Sequence, residues 1–228
     1  MKKIAVILTA LALSAGVLWS CTENTQQNEV PGEINNSTEN SEDTNTEVVP
    51  GYKELYLETV NELNSRYEDV EWSYGLVDIN GDEAPELVAG YPVCISLYTY
   101  SQGKVYTLME EQTYGFAGNN GYSYQPGKNV IFSSDYDMAG AVVYENYLKI
   151  GENNELDNYH NKPLYSTVWK DANGDGVPDD NEIGDTTYYY YGNDELSEEA
   201  YNNLRFGDGF EGLYGEMTYD EIVAELTK

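Results

Sequence analysis

The chain has 228 residues and a formal charge of −30, because 41 Asp and Glu residues stand against 11 Lys and Arg residues. A negative field of this size repels phosphate-rich polymers, so the composition argues against nucleic-acid binding and favours divalent cations as partners. Tyr outnumbers Phe by 23 to 4, which is typical of β-strands that bury the ring and keep the hydroxyl hydrated. A glycan-binding aromatic surface is the alternative explanation of this excess.

Residues 1–20 have the pattern of a secretory signal. Lys2 and Lys3 supply a basic start, an apolar run follows over residues 4–19, and Ser20 precedes Cys21. This ending resembles the lipobox of bacterial lipoproteins. The resemblance implies that Cys21 becomes the acylated N-terminus, carrying a lipid such as palmitate, and that the protein is anchored to the cell membrane on its extracytoplasmic face. The alternative is an uncleaved N-terminal anchor.

Residues 21–50 are predicted to be a disordered polar and acidic tether. After Cys21 this stretch contains neither Lys nor Arg and no aromatic residue, so it cannot bury enough apolar surface to fold. Residues 51–228 are predicted to form a single domain.

The folded part is predicted to begin with a helix, continue through antiparallel strands and end in short helices. Residues 52–67 carry apolar residues at helical spacing. Ser197 is a candidate N-cap for a short helix, and Thr218 with Glu221 forms a capping box for the last helix. The pattern predicts an α+β fold with an N-terminal helix, an antiparallel β-meander and short C-terminal helices. Strands are predicted over residues 72–77, 87–89, 94–100, 105–108, 130–133, 140–150, 164–169 and 186–191, with a long surface loop over residues 114–128.

A short acidic turn lies between the first two predicted strands. Its candidate calcium ligands, at positions 1, 3, 5 and 9 of the turn, are Asp78, Asn80, Asp82 and Glu86, with Gly81 at the bend. This order resembles the D-x-N-G-D loops of FG-GAP-type repeats, and the resemblance implies a calcium ion held in a turn between strands. The alternative is an Asx-rich turn whose side chains satisfy only their own backbone.

A longer acidic loop covers residues 171–182 and has EF-hand ligand spacing. Gly176 provides the sharp turn at position 6. The candidate ligands are Asp171, Asn173, Asp175, the carbonyl of Val177, Asp179 and Glu182, at positions 1, 3, 5, 7, 9 and 12. Calcium takes six to eight oxygen ligands, and this loop offers that many.

The flanks of the longer loop are strand-like and not helical, which argues against a calcium sensor of the EF-hand kind. The loop resembles those of thrombospondin type 3 repeats and dockerins, and the resemblance implies a structural calcium ion. More loosely, the chain resembles a group of bacterial surface lipoproteins that share a lipobox, a polar tether, an L-x-D-I-N-G-D-x-x-P-E-L hairpin and an M-T-Y-D-E-I helix. These two motifs fall at residues 76–87 and 217–222.

Other chemistry-bearing residues give little sign of catalysis. With Cys21 taken by processing, Cys94 has no intramolecular partner and is predicted to be a buried core thiol. His160 lies in a polar stretch and is predicted to be a surface loop residue. We therefore expect a non-enzymatic cell-surface lipoprotein with structural calcium loops, acting as a binding, adhesion or structural module. Its candidate partners are calcium, the membrane, and a cell-envelope polymer, a glycan or a protein. The alternative is an extracellular hydrolase that uses a carboxylate pair on glycans.

Overall fold

The computed structural model of the protein describes residues 51–66, 69–115, 118–179 and 181–228. The predicted signal, Cys21 and the predicted tether therefore lie outside the described residues. Within the described ranges, no helix combines the length and apolar character needed to cross a bilayer.

The described residues contain three α-helices and one short 3-10 helix. The helices are α1 (Tyr52–Arg66), the 3-10 helix Met138–Gly140, α2 (Glu198–Asn202) and α3 (Tyr219–Leu226). The Ser197 hydroxyl accepts the N–H of Ala200 at the start of α2, and the capping box between Thr218 and Glu221 is present at the start of α3. The predicted caps are therefore confirmed.

In the part of the chain that the structure describes, twelve strands form two antiparallel sheets. The strands are β1 (Ser73–Val77), β2 (Glu86–Tyr91), β3 (Cys94–Ser101), β4 (Lys104–Thr113), β5 (Asn119–Gln125), β6 (Val130–Asp137), β7 (Val142–Ile150), β8 (Leu156–Asn158), β9 (Leu164–Trp169), β10 (Ile183–Tyr191), β11 (Asp194–Leu196) and β12 (Glu211–Gly212). The first sheet has the order β1-β2-β3-β4. The second has the order β11-β10-β9-β7-β6-β5-β12, with β8 also paired to β7.

The side-chain alternation of strand β2 shows how the layers pack. Leu87 and Ala89 face a core that also contains Tyr56 and Val60 of α1 and Ile222 of α3. Val88, between them in sequence, faces the opposite way and joins a second core, formed with residues of the second sheet. Because successive side chains of a strand point to opposite faces, the first sheet lies between the helices and the second sheet.

A third apolar cluster covers the other face of the second sheet. It contains Val130, Tyr147, Leu164 and Tyr201 of α2, with Phe206 and Phe210 packed beside them. The layers therefore run from α1 and α3 through the two sheets to α2 and the segment that follows it.

The predicted α+β class is confirmed at the level of antiparallel sheets with a few helices, and several details differ. The helix expected at the N-terminus is the first described element, but it starts only at Tyr52, after fifty residues outside the description. The predicted single meander is two sheets. The loop predicted over residues 114–128 is wrong, because β5 lies within it and pairs with both β6 and β12. Its Gly and Asn residues accompany a register shift between Asn119 and Tyr122, a bulge that weakens the strand pattern in the sequence.

Candidate metal sites

The longer acidic loop closes the hairpin formed by β9 and β10. Trp169 pairs with Ile183 at the base of the loop, and the strands resume regular pairing at Thr167 and Tyr188 after a register shift. The flanks are thus strands, as the sequence predicts. The described loop residues are exposed to solvent except Pro178 and Glu182, which are half-buried.

Side-chain oxygens of this loop accept hydrogen bonds from the loop's own backbone. Asp171 accepts the N–H of Gly174 through Oδ1 at 2.6 Å and that of Gly176 through Oδ2 at 3.1 Å. Asn173 Oδ1 accepts the N–H of Asp175 at 2.8 Å, and Asp175 Oδ1 accepts the N–H of Val177 at 2.8 Å. These bonds draw the backbone into a tight turn in which positions 1, 3 and 5 present oxygens.

Glu182 ties the end of the loop to its beginning. Its Oε1 accepts the N–H groups of Ala172 and Asn173 at 2.7 and 3.1 Å, and its Oε2 accepts the indole N–H of Trp169 at 3.0 Å. These bonds stabilise the charged form and hold the pKa of Glu182 below its usual value, with the Trp169 indole making the largest contribution. Glu182 is therefore held as a carboxylate at the position where an EF-hand-type loop has its last ligand.

No lysine or arginine neutralises this loop within the described ranges. Asp171, Asp175, Asp179 and Glu182 make no ion pair there, and the adjacent Lys170 turns instead to Glu195 on β11, at 3.1 Å. Uncompensated carboxylates that share one short loop repel each other, and a divalent cation would remove that repulsion.

The donor chemistry of the loop fits calcium. Each carboxylate oxygen that accepts an N–H group retains a second lone pair, and an amide oxygen and a backbone carbonyl complete a hard-oxygen set. Among the described residues, which do not include Asp180, no group of three or more His, Cys, Asp or Glu side chains comes together in a form that could hold a metal ion. Calcium binding would therefore have to draw the loop carboxylates inward.

The shorter loop repeats the hydrogen bonds of the longer one. Asp78 Oδ1 accepts the N–H of Gly81 at 2.7 Å, Asn80 Oδ1 accepts that of Asp82 at 2.9 Å, and Asp82 Oδ1 accepts that of Ala84 at 2.9 Å. The corresponding bonds in the longer loop join positions 1 and 4, 3 and 5, and 5 and 7. In both loops the Asn at position 3 also donates its amide N–H to the Asp at position 5. The two loops therefore share these four hydrogen bonds but not the whole backbone conformation. Gly176, at position 6 of the longer loop, has a φ of +76° and donates its N–H to Asp171, whereas Glu83, at position 6 of the shorter loop, does not adopt a positive φ.

Glu86 ends the shorter loop in a buried position. Its Oε2 accepts the N–H of Ile79, the second residue of the loop, at 2.9 Å, and its Oε1 accepts the hydroxyl of Thr99 on β3 at 3.0 Å. It thus repeats at position 9 the contact that Glu182 makes at position 12. Burial raises the pKa of Glu86 to about 7, against the lowering effect of the bonds from Ile79 and Thr99. Asp78 and Asp82 are exposed, whereas Glu86 is fully enclosed.

The shorter loop also joins the two sheets. The carbonyls of Asp78 and Ile79 accept the N–H groups of Gly127 and Asn129, from the turn between β5 and β6, at 2.9 and 2.6 Å. Gly81 has a φ of +78° and packs against Gly127, whose carbonyl oxygen would lie 3.1 Å from an added Cβ. The side chains of Asp78, Asn80 and Asp82 thus bond within their own loop, as the alternative of an Asx-rich turn expects, while the loop's backbone carbonyls hold the second sheet.

Sequence reasoning missed two donors that position the terminal carboxylates. Trp169 lies only two residues before Asp171, so the sequence could have predicted that its indole N–H donates to a carboxylate of the loop. Thr99 lies on β3, and nothing in the sequence connects it with Glu86.

The remaining chemistry-bearing residues are accommodated by the core. Cys94 is a free thiol, buried as predicted. His160, predicted to be a surface residue, is half-buried between β8 and β9, with its ring edge-to-face with Tyr147 and Tyr191. Aromatic packing therefore accounts for its position.

No protein-family model, no curated protein and no solved structure matches this chain.

Proposed function

We propose that the protein is a lipid-anchored cell-surface module whose folded domain is stabilised by calcium in its two acidic loops. The observation that carries the proposal is the loop over residues 171–182: a complete set of oxygen ligands, held by backbone hydrogen bonds, without a compensating cation among the described residues. The residues that would hold calcium there are Asp171, Asn173, Asp175, Asp179 and Glu182, with the carbonyl of Val177.

The second loop supports the same proposal with fewer ligands. Asp78, Asn80, Asp82 and Glu86 would hold calcium in the shorter turn, where the hydrogen bonds match those of the longer loop. Calcium at this turn would link the first sheet to the β5–β6 turn of the second. In both places the ion supplies charge compensation to crowded carboxylates and stabilises the domain.

Calcium binding is tested by isothermal titration of the chelator-treated protein. We expect the unaltered protein to release or absorb heat when calcium binds. The Asp171→Asn and Asp175→Asn variants should lose the part of this heat that comes from the longer loop. Asp185→Asn is a matched control, because Asp185 is an exposed carboxylate of β10 beyond the loop. Equal heats from Asp175→Asn and Asp185→Asn would contradict the assignment of the longer loop.

The membrane anchor is tested separately. The Cys21→Ala variant lacks the acylated side chain, so we expect it to leave the detergent-rich phase in a Triton X-114 partition, whereas the unaltered protein enters that phase. A metabolic palmitate label should appear only on the unaltered protein. An unlabelled protein that remains in the membrane fraction would favour an uncleaved N-terminal anchor instead.

A further inference from the structure

A cavity of about 540 Å³ lies on the outer face of the second sheet, under the segment that follows α2. Its apolar wall consists of Phe132 on β6, Tyr147 on β7, and Phe206 and Phe210. The rings touch in series, with centroids 5.5 Å apart for Phe132 and Phe210, 5.0 Å for Phe132 and Tyr147, and 5.1 Å for Tyr147 and Phe206. Three of the four phenylalanines in the chain thus meet at one place.

The polar wall of the cavity is held in place by the half-buried carboxylate of Glu145. Glu145 accepts hydrogen bonds through one oxygen from Arg205 Nε and from the Tyr147 hydroxyl, both at 2.9 Å. The guanidinium has five donors, and this ion pair uses the one on Nε. Arg205 is therefore fixed in orientation while most of its hydrogen-bonding capacity remains for a ligand.

The segment over residues 207–209 supplies the complementary acceptor. Gln125 Nε2 donates to the carbonyls of Gly207 and Asp208, both at 3.0 Å, which fixes the backbone of this segment to β5. Asp208 is a lining residue of the cavity, and its side-chain carboxylate makes no ion pair or hydrogen bond with the described residues. Asn202, at the end of α2, adds an amide to the same rim.

The combination of these walls selects an uncharged amphipathic ring. The one cation of the lining, Arg205, is already paired with Glu145, so the cavity has no uncompensated positive charge for an anionic ligand, and the charge of −30 on the whole chain disfavours anions further. A hexopyranose has an apolar face of C–H groups and a rim of hydroxyls that both donate and accept. The phenylalanine rings can pack against the apolar C–H face of the sugar, and Arg205, Asp208 and Asn202 can form hydrogen bonds with its hydroxyl groups. The volume is within the range of ligand sites, about 300–1,000 Å³.

We propose that this cavity binds a neutral sugar unit of a surface glycan. The inference gives a ligand class to the binding module proposed above, and it does not depend on calcium in the acidic loops. A failure to bind sugar by a protein that still binds calcium would overturn this inference alone.

The experiment is titration of the full-length protein in detergent with neutral hexasaccharides of glucose, mannose, xylose and N-acetylglucosamine. Galacturonic acid hexamer is the anionic comparison. We expect at least one neutral hexasaccharide to bind at millimolar concentration or below, and we expect Phe210→Ala to weaken that binding at least tenfold. Tyr165→Ala is the matched control, because Tyr165 is a half-buried ring on the opposite face of the same sheet, next to Leu164, and should leave affinity unchanged.

A second variant separates ligand contact from folding. Asp208 is exposed and has no partner in the described structure, so Asp208→Ala should melt like the unaltered protein and still bind the same sugar at least tenfold more weakly. The proposal is overturned if no neutral hexasaccharide binds, if only the uronate binds, or if Asp208→Ala and Phe210→Ala both retain full affinity.

Discussion

If calcium binds the two acidic loops as proposed, the dependence of the melting temperature on calcium concentration should report the number of sites. A ligand that binds only the folded state adds stability in proportion to the logarithm of its concentration above the dissociation constant. Each tenfold rise in free calcium adds about 1.4 kcal/mol per site. In a domain of this size, about 1 kcal/mol corresponds to a shift of roughly 2–4 °C in melting temperature.

One occupied site therefore predicts a rise of about 3–6 °C for each tenfold rise in calcium, and two sites predict about twice that slope. We expect the slope of two sites, because calcium is proposed in both loops and their hydrogen bonds correspond at positions 1, 3 and 5. Extracellular calcium modules have dissociation constants of about 0.1–1 mM. The slope should consequently appear above that range in differential scanning calorimetry.

Two substitutions assign the slope to the loops. Glu182→Gln keeps one oxygen that can accept the N–H of Ala172 but removes the charge, so it should remove the contribution of the longer loop. Asp82→Asn keeps the acceptor for Ala84 and should remove the contribution of the shorter loop. Asp185→Asn should retain the full slope.

The result that would refute this reasoning is a melting temperature in EDTA equal to that in millimolar calcium. An equal slope with magnesium would also refute it, because magnesium requires near-ideal octahedral geometry and gives up its waters reluctantly, whereas calcium accepts the irregular all-oxygen coordination proposed here. Sodium chloride at matched ionic strength controls for simple screening of the negative charge.

Three further predictions concern the domain itself. Burial raises the pKa of Glu86 from its usual 4.5 to about 7. In EDTA, protonated Glu86 should therefore stabilise the folded domain below pH 4.5, and this stabilisation should be lost as the pH rises through 7. Urea unfolding of Glu86→Gln should show no such decrease in the free energy of unfolding. Thr218→Ala breaks the capping box with Glu221 and should lower stability by about 1 kcal/mol, whereas Thr218→Ser should not. Leu63→Ala opens a cavity between α1 and the first sheet and should cost about 2–5 kcal/mol, more than Leu57→Ala at a half-buried position of the same helix, by urea unfolding.

Each of these predictions has a clear contrary result. Parallel pH profiles for the unaltered protein and Glu86→Gln would show that Glu86 titrates near its usual pKa. Equal losses from Thr218→Ala and Thr218→Ser would indicate that the methyl group, and not the hydroxyl, stabilises the start of α3. Equal losses from Leu63→Ala and Leu57→Ala would contradict the depth assigned to Leu63.

Features that depend on residues close together in the chain were readable from the sequence. The capping box spans Thr218 and Glu221, the turn bonds of the acidic loops span two to five residues, and α1 shows its buried stripe at helical spacing. The hydrogen bonds and contacts that form these elements join neighbours, so their residue types and spacing largely determine the local backbone.

Features that depend on distant residues were decided only by the tertiary structure. Both faces of β2 are buried, one against the helices and the other against the second sheet. The sequence of β2 does not indicate which elements cover these two faces. The contact of Glu86 with Thr99 arises from pairing of β2 with β3. Strand pairing brings together residues that are far apart in the chain, and their spacing follows no helical or strand period from which the contact could be predicted.

The aromatic residues show the same division. The excess of tyrosine in the sequence indicated β-strands, and the strands are present. The apolar wall of the cavity, however, contains three phenylalanines and one tyrosine, and its rings come from positions as far apart as Phe132 and Phe210. Composition thus indicated that the domain would be rich in strands. The position of the cavity was decided only by the way α2 and the segment after it pack over the second sheet.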